Sequence, residues 1–107
     1  MNELSPRDQR FFPRRSANPV PVLLHRADPT AGPLAGNVYD YSPSGLSIQV
    51  ERPLPTGTVL AVHLLNDPAN ARGFHVLVEN CHPHEGEYRL GCQFTAIQHW
   101  DDLQVFG

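Results

Sequence analysis

Absences set the first bounds on this chain. No stretch approaches the roughly 18 consecutive apolar residues that a membrane-spanning helix needs, and the N-terminus MNELSPRDQRFFPRR carries no apolar run of the kind a secretory signal has. Together they predict a cytosolic protein that does not engage a membrane. Cysteine is scarce: Cys81 and Cys92 are too few to staple a secreted mini-domain, and Cys92 falls in an alternating apolar pattern that buries it, so both are expected as reduced thiols. Net positive charge is missing as well. At −3 overall the protein has no electrostatic reason to sit on a nucleic-acid polymer or an anionic surface, and any anion it binds must be caught locally. Helical periodicity is also lacking, since no 3.6-residue apolar repeat persists for more than about ten residues before residue 95.

What is present favours strands. Eleven prolines and eight glycines punctuate 107 residues at short intervals, and between them lie short runs with the period of two that marks a half-buried strand. Val20 to His25 reads as a first strand, and Leu34 to Ser42 as a second. LSIQV follows, with Leu46, Ile48 and Val50 alternating against Ser47 and Gln49; TVLAVHLL then reads as a strand partly covered on both faces. After a hairpin loop NDPANARG, the set Phe74, Val76 and Val78 and the set Tyr88, Leu90, Cys92 and Phe94 are joined through a loop HPHEG. Ile97, Trp100, Leu103 and Val105 stand at helical spacing and predict a short C-terminal helix able to plug a barrel end. Six strands in about eighty residues with short turns predict an all-β, six-stranded antiparallel barrel, because closure removes the edges so small a sheet cannot otherwise cover. The expected organisation is a flexible arginine-rich arm over residues 1–18 and one barrel domain over residues 19–107.

Two clusters carry chemistry. Arg7, Arg10, Arg14 and Arg15 gather half of the eight basic residues into the arm of an otherwise acidic protein. Guanidinium is planar, permanently charged and presents paired donors, which suits phosphate oxygens or the O6 and N7 edge of guanine. The plainer reading is a solvated basic tail, and composition alone leaves both open. The second cluster is Asp40-Tyr41-Ser42-Pro43-Ser44-Gly45. On a strand, Asp40 and Ser42 share one face while Tyr39 and Tyr41 take the other, so a carboxylate that accepts from guanine N1 and N2 stands beside a hydroxyl. Gly45 allows close approach or positive φ. A turn of the Asx or Ser/Thr kind that merely ends a strand is the alternative.

Arg10-Phe-Phe-Pro-Arg14 followed by D-Y-S-P-S-G at positions 40 to 45 resembles the paired RxxxR and (D/N)xSxxG signature of PilZ domains, and the strand pattern resembles that family's barrel over residues 7 to about 97. The resemblance implies a receptor for cyclic di-GMP without catalysis and without a cofactor. In that reading Arg10 and Arg14 grip guanine and phosphate from the arm, Asp40 and Ser42 hold a base on the barrel surface, and Gly45 shapes the turn. The arm orders over the ligand and so changes a surface presented to a downstream protein partner. Arg15 adjoins Arg14 and competes for the second arginine position. Gln9 replaces an arginine that many relatives carry before the first motif arginine, which leaves one ligand or a stacked pair open. The alternative is a nucleotide-independent adaptor that keeps the barrel and works by protein contact.

Other signals are weaker. Cys81-His82-Pro83-His84 supplies one close pair of metal ligands but not the second that a closed zinc site needs, so no metal is expected. No histidine is spaced with a serine nucleophile, so no hydrolytic centre is expected. Arg26, Arg52, Arg72 and Arg89 are dispersed along the strands and form no basic groove for a single strand of nucleic acid.

Overall fold

The computed structural model describes residues 15–65 and 73–106. Its strands are β1 (Arg15–Arg26), β2 (Leu34–Ser42), β3 (Gly45–Val50), β4 (Val59–Leu64), β5 (Gly73–His84) and β6 (Glu87–Phe94). All pairs are antiparallel, and the sheet closes on itself in the order β1-β2-β3-β6-β5-β4. The expected six-stranded barrel is therefore observed. The expected arm lies outside the described residues up to position 14, while residues 15 to 18 open β1, which begins at Arg15 rather than at Val20. Most of the loop NDPANARG also lies outside the described residues.

Period-two alternation builds the interior. Val22 and Leu24 of β1, Val38 of β2, Leu46, Ile48 and Val50 of β3, Leu60 and Val62 of β4, Phe74, Val76 and Val78 of β5, and Leu90, Cys92 and Phe94 of β6 are all buried. Each such side chain contributes about 1.5–3 kcal/mol of transfer free energy, which is what holds a sheet of this size closed. The outer face of β4 is more open than the sequence suggests: Val59 is 45% exposed.

The β5–β6 hairpin differs from expectation. His82, Pro83 and His84 are not in a loop but pair with Arg89, Tyr88 and Glu87, and the turn contracts to Glu85 and Gly86, with φ of 52° and 83°. Positive φ at both central residues matches the twist of the flanking strands. Pro83 fits because β4 pairs with β5 only as far as Leu77, so no ladder bond to β4 is lost there.

A 3-10 helix, Trp100–Phe106, closes one barrel end with Leu103 and Phe106 fully buried. Ile97 is 69% exposed and belongs to the loop before it, not to the packed face. Leu54 is buried in the segment after β3. No helix among the described residues is long and apolar enough to cross a membrane.

Candidate functional site

Strand β2 carries the motif, and its alternation breaks just before it. Val38 pairs with Ile48 inside the barrel, but the register then slips and Asp40 pairs with Ser47. This bulge turns two successive residues, Tyr39 and Asp40, toward the outer face. Tyr41, 2% exposed, returns to the core. The two tyrosines thus part company, contrary to the expectation that they share a face, whereas Asp40 and Ser42 remain two positions apart on one side.

The turn that follows is tightly held. Ser42, fully buried, meets Ser44 through their hydroxyls at 2.9 Å and accepts the Ser44 backbone N–H at 3.2 Å. This is the side-chain-to-backbone turn that serine favours. The Ser44 carbonyl accepts from Phe94 N–H and the Pro43 carbonyl from Gln98 N–H, both at 2.8 Å. Gly45 is not at positive φ. Its requirement is space: a Cβ there would drive into the Cys92 carbonyl oxygen, closer than side chains ever approach a backbone. Of the two reasons for glycine, close approach is the one that holds.

Asp40, Ser42 and Gly45 are therefore brought together on one hairpin. Arg15 stands opposite Tyr41 and Ser16 opposite Asp40, so the chain leaving the arm runs alongside the motif strand. The register of β1 slips between Ser16 and Val20, a stretch that includes Pro19, which has no N–H to donate. Arg10 and Arg14 lie outside the described residues.

Sequence reasoning missed the company that Asp40 keeps on the outer face. One cross-strand row is Asp40, Ser47, Gly91 and Asn80; the next is Asn37, Gln49, Arg89 and His82. Ser47 and Gly91 make a low floor beside Asp40, and a Cβ on Gly91 would collide with the Asn80 side-chain oxygen. Arg89 lies with its guanidinium 4.6 Å from the centre of the Tyr39 ring and donates through Nε to Gln49 Oε1 at 3.2 Å. The Gln49 amide in turn donates to the His84 carbonyl at 3.3 Å. The usable signal was the odd-number alternation of β3 and β6, which puts Ser47, Gln49, Arg89 and Gly91 on one surface. Among the described residues no group of three or more His, Cys, Asp or Glu side chains is placed to hold a metal ion.

A cleft of about 240 Å³ opens further along the same strands, but Glu51 and Glu87 line it and disfavour phosphate. A low floor of Ser47 and Gly91 with the Asp40 carboxylate at its edge suits a planar ligand.

The sequence profile of the PilZ domain matches residues 8–104. The chain belongs to the PilZ domain family. The matched span reaches into the arm and includes both Arg10 and Arg14. Solved structures with the same fold include the PilZ domain of YcgR from Escherichia coli, solved with c-di-GMP, at a TM-score of 0.68 and 19% identity over 91% of this chain and 86% of that one. The Bacillus subtilis inhibitor of motility, MotI, gives a TM-score of 0.66 and 14% identity over 97% of this chain and 54% of its own. The MrkH–c-di-GMP complex of K. pneumonia gives 0.66 and 18% over 92% of this chain and 49% of its own. The PilZ domain described here thus spans about half the length of the MotI and MrkH chains. No curated protein matches it in sequence.

Proposed function

We propose that this PilZ domain is a non-catalytic receptor for cyclic di-GMP. The observation that carries the reading is the hairpin itself: Asp40, Ser42 and Gly45 stand together beside the strand into which the arginine arm runs. Asp40 accepts from the N1 and N2 donors of one guanine lying over Ser47 and Gly91. Arg10 and Arg14 reach across from the arm to a guanine edge and the phosphates, with Arg15 beside them. Affinity rests on the arm folding over the ligand, and charge-assisted bonds offset the entropy of ordering that segment. The YcgR domain and MrkH structures that share this fold contain c-di-GMP, which supports the same ligand here.

The signal passes to a partner protein in the cytosol through the arm, whose ordering over bound ligand changes the surface presented to that partner. Calorimetric titration of cyclic di-GMP beside GTP and cyclic di-AMP tests the reading. The expected result is binding at about 1 μM or tighter, on the order of −8 kcal/mol, for cyclic di-GMP alone, lost in the double variant Arg10→Ala, Arg14→Ala. Absence of heat from folded protein refutes it and moves the function to partner contact independent of nucleotide.

A further inference from the structure

Two of the arginines that are dispersed in sequence come together at the barrel end remote from the motif. β1 ends at Arg26, which pairs with Leu60. Leu60 is fully buried, as are Val22 and Leu24 on the same face of β1, so the register turns Arg26 toward the barrel interior. An arginine at an interior register position is costly unless its donors are satisfied. Yet Arg26 Nε, itself buried, has no hydrogen-bond partner among the described residues.

Arg26 lines a cleft of about 180 Å³ together with Leu34, Arg52 and Leu54. Arg52 brings a second guanidinium from the segment after β3. That volume is below the roughly 300–1,000 Å³ of sites for larger organic ligands and suits one small group. The nearby carboxylate, Asp28, is committed elsewhere: it accepts from Thr30 N–H at 3.0 Å and from the Thr30 hydroxyl at 2.7 Å. Arg26 is only the weakest influence on its acidity.

We propose that the Arg26–Arg52 cleft is a second anion site, separate from the motif surface, that takes a single phosphate group. Arg26 brings a guanidinium with an unsatisfied donor to the cleft, and Arg52 closes on the group from the rim. Two fixed positive charges match a phosphate group, which carries close to two negative charges near neutrality, better than they match a carboxylate. Guanidinium forks also present parallel donors to its oxygens. Buried Leu54 and half-buried Leu34 line the apolar side of the cleft and lower the local dielectric, which strengthens both contacts.

The test is nuclear magnetic resonance of the Nε–Hε groups in the full 107-residue chain, titrated with inorganic phosphate at ionic strength held constant with chloride. The expected result is a saturable shift of the Arg26 signal with an apparent Kd of about 1 mM or tighter. Arg52→Ala, an exposed change that leaves the barrel folded, weakens it roughly ten-fold, as loss of one charge-assisted contact does. The Arg10→Ala, Arg14→Ala variant keeps it, which separates this site from the motif surface. Tighter binding of inorganic phosphate than of methyl phosphate identifies the free anion as ligand, and the reverse order an esterified one. A signal that does not move, that moves equally with acetate, or that is indifferent to Arg52→Ala overturns the proposal.

Discussion

Tyr41, one residue before Ser42, lies with its ring centroid 5.6 Å from that of Phe106. Phe106 also meets Phe74 at 5.4 Å, and Trp100 stands edge-on to Tyr41 at 6.2 Å. The C-terminal segment thus braces, from inside the barrel, the strand whose outer side carries the motif. Phe106→Ala is expected to cost about 3–5 kcal/mol in urea denaturation, with Phe106→Leu costing clearly less. A loss within about 0.5 kcal/mol, the range of ordinary surface changes, contradicts this bracing role.

Gly45 and Gly57 give opposite tests of what a glycine does. At Gly45 an added methyl meets the Cys92 backbone, so Gly45→Ala is expected to lose about 1–3 kcal/mol from overpacking and to weaken cyclic di-GMP binding by displacing the turn. At Gly57 there is open space but φ is +90°. Gly57→Ala therefore costs only backbone strain, about 1–2 kcal/mol, and leaves ligand affinity unchanged. Paired denaturation and titration of the two variants decide it.

Asp40→Asn exchanges a charged acceptor for an amide of the same shape. Against the N1 and N2 donors of guanine this removes a charge-assisted pair, and cyclic di-GMP affinity should fall at least about ten-fold, equivalent to 1.4 kcal/mol or more. Unchanged affinity in calorimetry removes Asp40 from the site.

The Thr30 hydroxyl and backbone N–H, with a small further effect of Arg26, hold the Asp28 carboxyl below its ordinary value of 3.8. A carboxyl whose acidity is raised on folding stabilises the native state above the unfolded pKa, and that contribution disappears as pH falls through the lower native value. Carboxyl-detected titration should place the Asp28 midpoint below that of a model peptide. Thr30→Ala should return it toward the ordinary value.

Much of this protein was written along the chain. Leu34 to Ser42 could be bounded as a strand because glycine and proline precede it and the Pro43–Ser44 turn ends it, and alternation in β3 and β6 placed Leu46, Ile48, Leu90, Cys92 and Phe94 in the core. The motif residues Asp40, Ser42 and Gly45 were legible for the same reason: they are neighbours on one hairpin, and local spacing sets their relation. What depends on strand pairing was not legible. The bulges between Val38 and Asp40 and between Val78 and Asn80 arise from register against a partner strand, and a tyrosine fits either face, so nothing local revealed that Tyr39 turns out to Arg89 while Tyr41 turns in to Phe106. The approach of Cys92 to Gly45 and the meeting of Arg26 with Arg52 have the same origin. Side-chain period fixes which residues can face one way, but only closure of the barrel decides which distant residues they face.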